Sequence, residues 1–168
     1  MIDRFVVGRS DFVAVRASQV IGEARQNSDP TFLRRLSTNE LSRSQELLVT
    51  GLSQLWTKYT DSSIILDAHA IIDGDSQAFE VPRSVFVKLA PKVIIHIFDA
   101  PERIFQRRLN DRGRNRPIRS IQELRAQQGR SLELAEEHAK AVDCPFRQVS
   151  AGDDAGFCRA ITQFSLNQ

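Results

Sequence analysis

Cysteine is scarce in this chain: Cys144 and Cys158 are the only two, and no CxxC spacing joins them. That excludes a disulfide-stapled scaffold and argues against a zinc site, leaving two free thiols that suit a reducing compartment. Lysine is scarce too, since 19 of the 23 basic residues are arginine, and the net charge is only +2. A local anion site fits this distribution better than a general basic coat for nucleic acid. No apolar run approaches the length of a membrane span, and the opening MIDRF has no signal-peptide pattern. The expected location is the cytoplasm, with no membrane partner. Internal repeats, low-complexity tracts and linkers are absent as well. A chain of 168 residues then suits one domain, 1–168, long enough to bury a sizeable core.

The most informative stretch is Pro91 to Arg119. Residues 93–98, VIIHIF, are apolar at every position but one, as in a strand buried on both faces. Asp99 reads as the N-cap of the next helix, with Pro101 in its first turn and Glu102 completing a capping box. Ile104, Phe105 and Leu109 give that helix a narrow apolar face. Arg103, Arg107, Arg108, Arg112, Arg114, Arg116 and Arg119 place seven guanidiniums within seventeen residues, offset only by Glu102 and Asp111. Such a cluster repels itself unless an anion joins it, and arginine suits bidentate phosphate contacts. A phosphate clamp is one reading, and a solvated helix face paired with scattered carboxylates is the other. The cluster has no interleaved Tyr or Trp, so stacking on single-stranded RNA has little support.

Elsewhere apolar strands alternate with amphipathic helices. Residues 12–15 predict a strand, with Ser18 as N-cap of a helix over 19–26 that Gly22 weakens. Asp29 and Pro30 open a short helix. Ser37 and Glu40 form a capping box ahead of one long helix with Leu41, Leu48, Leu52, Leu55 and Tyr59 inward. Residues 64–66 predict a buried strand, residues 73–81 a polar irregular stretch, and residues 83–89 a short helix. Ser120 and Glu123 cap a helix reaching about Val142. A strand over 146–149 and a last helix with Phe157, Ile161 and Phe164 inward close the chain. This order implies an α/β domain with a mainly parallel sheet.

In an open parallel sheet, ligands gather at the carboxyl ends of the strands. Ser18, Asp67 with His69, and Asp99 fall there. Asp67 after a buried strand either holds Mg²⁺ through water or simply caps the next segment. His96 reads as a satisfied core histidine, His138 as solvated, and Glu133, Glu136 and Glu137 as a solvent-facing surface. Phosphate-transfer folds of this kind cradle the donor in GxxxxGK[ST] between a first strand and helix. No Gly-Lys pair occurs here, and Gly8-Arg9-Ser10 leads into a strand.

The chain resembles the archaeal-type adenylate kinases of the P-loop nucleoside monophosphate kinase group, from about Phe12 to Gly152. IILDAH at 64–69, RRLNDRGRNR at 107–116 and GRSLELAEEHA at 129–139 carry the likeness. It implies a three-layer P-loop-kinase-like α/β domain, with the first strand and P-loop missing and a short arginine-rich lid at about 112–120. Arg108, Arg114, Arg116 and Arg130 would contact the transferring phosphoryl group. Ser18 and Arg34 would begin the acceptor-nucleotide pocket, Arg83 of Val81-Pro82-Arg83 would hold the acceptor phosphate, and Asp67 would organise Mg²⁺ with His69 beside it. A first strand, P-loop and helix take roughly 30 residues, whereas eleven precede Phe12, so an N-terminally truncated domain is expected.

The resemblance thus implies ATP-dependent phosphoryl transfer to a nucleoside monophosphate, AMP first, with ATP and Mg²⁺ as cofactors and no turnover by residues 1–168 alone. A non-catalytic nucleotide- or phosphate-sensing module and an RNA-associated arginine-loop protein are the alternatives. Strand edges left open by a missing neighbour predict self-association.

Overall fold

Strands and helices alternate along most of the chain, as the apolar runs predict. The computed structural model describes residues 1–29, 31–111 and 117–165, in two units, Met1–Leu89 and Ala90–Gln168.

In the first unit the order is α1 (Ile2–Val6), β1 (Phe12–Arg16), α2 (Ala17–Ala24), a 3-10 turn (Phe32–Arg35), α3 (Thr38–Lys58), β2 (Ser63–Asp67), β3 (Ile71–Asp73), β4 (Ala78–Glu80) and α4 (Arg83–Leu89). β1 and β2 pair in parallel, from Phe12 opposite Ser63 to Arg16 opposite Asp67. The two helices of the crossover bury Val20, Ile21, Leu48 and Leu52 with Phe32, against Val15, Ile64 and Leu66 of the strands. α2 and α3 approach closely because Gly51 has no side chain: a Cβ there would lie 2.4 Å from Val20 Cγ1. Arg25 adds a polar tie, donating from Nη1 to the buried Ser44 Oγ at 3.0 Å. The predicted capping box of α3 is present, with Ser37 accepting from the Glu40 amide and Glu40 accepting from the Ser37 amide.

Three local expectations are corrected here. Ser18 does not cap α2: Arg16 stands at the N-cap without a side-chain cap bond, and Ser18 lies inside the first turn. Asp29 accepts from the amide and hydroxyl of Thr31, both at 2.7 Å, and pairs with Arg35. It thereby holds a turn, and the short helix expected at Pro30, a residue outside those described, is a 3-10 turn with Thr31 at its N-cap. Residues 71–80 are an antiparallel hairpin, Ile72 opposite Phe79. Phe79 is buried with Leu41, Val81 and Val85, so the polar stretch is anchored by one aromatic side chain.

The second unit runs β5 (Ile94–Phe98), α5 (Pro101–Asn110), α6 (Ile121–Ala141), β6 (Phe146–Ser150) and α7 (Asp154–Ser165). β5 and β6 pair in parallel, from Ile94 opposite Phe146 to Phe98 opposite Ser150. Leu124, Leu134, Ala135 and Ala139 of α6, Val149 of β6, and Phe157 and Ile161 of α7 are buried. The Ser120–Glu123 capping box forms as predicted. β5 is not buried on both faces, because Ile97 and Phe98 are 40% and 36% exposed. His138 is buried rather than solvated, at 2% exposure. His96 is buried as expected, but its Nδ1 has no hydrogen-bond partner among the described residues. Both cysteines are free thiols, and burial pushes the Cys144 thiol up, partly offset by a bond from the Ile94 amide.

Candidate functional site

The carboxyl end of the β1–β2 pair brings together Arg16, Ser18, Asp67 and His69, all exposed. β1 passes into α2 with no intervening residue. The first-turn amides of α2 therefore open directly at the strand end, where a helix leaves its N–H groups unpaired. Arg16 donates from Nη2 to Asp3 Oδ2 of α1 at 2.9 Å. The Ser18 hydroxyl, the Asp67 carboxylate and the His69 ring make no hydrogen bond or ion pair among the described residues. Asp67 precedes residues 68–70 and then β3, so no helix start is present for it to cap. Sequence reasoning placed Ser18, Asp67 and His69 here but missed Arg16, whose only signal is a charge closing an apolar strand.

Arg34 lies in the 3-10 turn and is held by the β3–β4 loop. The Asp75 amide donates to the Arg34 carbonyl at 2.9 Å, and the Arg34 Nε lies 4.0 Å from Asp75 Oδ1. Arg83 is exposed at the start of α4 and makes no ion pair among the described residues. A hollow of about 340 Å³ lies at the start of α3, lined by Leu36, Ser37, Thr38, Asn39, Leu41, Ser76, Gln77 and Phe79. Its lining carries no charged side chain, so nothing there would fix a phosphate.

Arg103 and Arg107 of the second unit have found an internal anion. Asp99 is the residue expected as N-cap of α5, but Ala100 takes that position. The Asp99 side chain is 5% exposed and lies 2.7 Å from Arg107 Nη1, with Arg103 Nε bonded to its other oxygen. Burial alone would push this carboxyl up; the Arg103 bond, the Ala100 amide and the charge of Arg107 outweigh it and hold the group below its usual value. Gln128 of α6 locks the Asp99 backbone from both sides, accepting from its amide at 3.2 Å and donating to its carbonyl at 2.8 Å. Glu102 pairs with Arg125, and Arg130 with Glu133 and Glu137. Of the seven cluster arginines, Arg103 and Arg107 are thus paired with a carboxylate. Arg108 lies on α5, half-buried. Arg114 and Arg116 lie outside the described residues.

The GxxxxGK[ST] pattern that cradles donor phosphates is not present in the sequence. No Gly-Lys pair occurs, and the turn at Gly8 (φ +74°) runs into β1. Magnesium is a different case. No group of three His, Cys, Asp or Glu side chains that could hold a metal occurs among the described residues. Yet Mg²⁺ is commonly held by one or two carboxylates with substrate phosphates and water, and the unpaired Asp67 fits that role.

A family model described as AAA domain matches residues 4–125. The chain belongs to this family. Membership gives the AAA-domain chain a nucleotide-binding, P-loop-kinase-like character, in agreement with its α/β order and parallel strand pairs. The matched span includes Arg16, Ser18, Arg34, Asp67, His69, Arg83 and Arg108. No curated protein gives a significant match. No helix among the described residues is long and apolar enough to cross a membrane.

Proposed function

We propose that the chain binds a nucleoside monophosphate, AMP first, at the carboxyl end of β1–β2, as a protein of the adenylate kinase type, whose full-length members carry out ATP-dependent phosphoryl transfer to that acceptor. The observation that supports this most is the family match, which spans a parallel strand pair carrying Ser18, Asp67 and His69 unpaired at the end where such folds bind ligands. Ser18 and the first-turn amides of α2 meet the acceptor phosphate, with Arg34 and Arg83 as further cationic contacts. Asp67 holds Mg²⁺ that arrives with a nucleotide, and His69 flanks it. Bound Mg²⁺ offsets phosphate charge. Arg108, Arg114, Arg116 and Arg130 are the residues proposed to neutralise the transferring group, because catalysis in this class is mainly positioning and charge stabilisation.

In this reading residues 1–168 bind nucleotide without turning it over, because the sequence has no Gly-Lys pair for the donor phosphates. Calorimetric titration with AMP, ADP and ATP, with and without Mg²⁺, tests the binding, and ADP formation from ATP and AMP tests the chemistry. AMP binding without turnover is the expected result. Failure to bind any of the three rejects the reading, and turnover proportional to protein would locate a donor site within these residues.

A further inference from the structure

Arg16 is the one basic side chain besides His69 that β1, β2 and their immediate exits place at the carboxyl end of the pair. It stands directly opposite Asp67 in the register. A phosphate entering this end would be repelled by Asp67, and Arg16, opposite it in the register, carries charge of the sign that offsets this. Its present partner is exchangeable: Arg16 and Asp3 have side chains 57% and 74% exposed, and such a surface pair holds weakly. Arg16 also has no duty within α2, since it forms no side-chain cap bond there.

We infer that Arg16 is a phosphate-contacting residue of this site and that Asp3 competes with the ligand for its guanidinium. The inference rests on the proposed nucleotide site and adds to it a cation that no family pattern supplied. An anionic ligand takes over the Arg16 donors, and the Asp3 carboxylate returns to solvent. Contact is with phosphate, so affinity for a nucleoside lacking phosphate does not depend on Arg16. Nor does it require a metal, since the guanidinium supplies the charge.

The experiment is a titration of the whole chain with AMP and with adenosine in EDTA, using wild type, Arg16→Ala, Arg16→Lys and Asp3→Asn. Arg16→Ala should weaken AMP binding about tenfold or more, the usual loss for a charge-assisted contact, and leave adenosine unchanged. Arg16→Lys should recover part of that loss. Asp3→Asn should tighten AMP binding severalfold. Circular dichroism melts of the same variants show whether each is folded. Equal AMP affinity for folded Arg16→Ala and wild type overturns the inference while leaving the nucleotide site standing. Weaker AMP binding by folded Asp3→Asn overturns the competition, because Asp3 would then orient Arg16. A wild-type chain that binds neither AMP nor any other nucleotide rejects the proposed function and this inference together.

Discussion

Asp99 and Arg107 meet at 2.7 Å, a buried carboxylate under a guanidinium that is 61% exposed. The two ends of this pair are not equivalent. Removing the arginines strands a charge in the interior, whereas removing the carboxylate leaves two arginines in water.

Arg103→Ala with Arg107→Ala should therefore cost more stability than Asp99→Asn, by about 2 kcal/mol, as read by urea unfolding at neutral pH. Because the folded Asp99 carboxyl titrates below its ordinary 3.8, its contribution is complete above that value and disappears as pH falls through the folded pKa. In the double-arginine variant burial is left to push the same carboxyl up, so the gap between the two variants should close at higher pH than this, as that carboxyl takes up its proton.

His96 gives a dependence of the same sign in a higher pH range. Burial lowers its pKa from 6.5, and the nearby Glu136 offsets this only in part. The unfolded chain takes up the proton first, so stability is full above about pH 6.5 and falls as the pH drops below it. His96→Leu should flatten that fall, which unfolding midpoints at pH 5 and pH 8 would show. An unchanged slope would mean that other groups set the acid sensitivity.

Glycine to alanine should change sign between two helices. At Gly51 the new Cβ meets Val20 Cγ1 at 2.4 Å, and a β-branched side chain gives way poorly, so Gly51→Ala should destabilise by about 1–3 kcal/mol. At Gly129 in α6 nothing lies within 4 Å, so Gly129→Ala should stabilise by up to about 1 kcal/mol. Thermal melts of the two variants provide the comparison.

Arg114→Ala with Arg116→Ala should weaken nucleotide binding while shifting stability by no more than about 0.5 kcal/mol. A lower melting temperature with unchanged binding would make these arginines structural.

What the sequence made legible was chiefly local. The Ser37–Glu40 and Ser120–Glu123 boxes close over three residues, and both formed. Asp99 offered the same local pattern but was drawn to Arg103 and Arg107, a competition that residue spacing does not rank. The β3–β4 hairpin was hidden because each strand has three residues, too few for alternation to show. His138 was legible and misread: it follows Leu134 by one helical turn on the buried stripe that includes Leu124 and Ala135. At the site, Ser18, Asp67 and His69 stood out as polar groups after apolar runs. Arg16 did not, since it belongs to the strand itself and its partner Asp3 comes from α1, which carries no strong pattern of its own.

The seamless junction between β1 and α2 has a mechanical consequence. With no connecting residue at Arg16–Ala17, the strand end and the first turn of α2 leave no loop between them to absorb a rearrangement. Val20 of that helix sits close over Gly51, so α2 is tied to β1 through the chain and to α3 through packing.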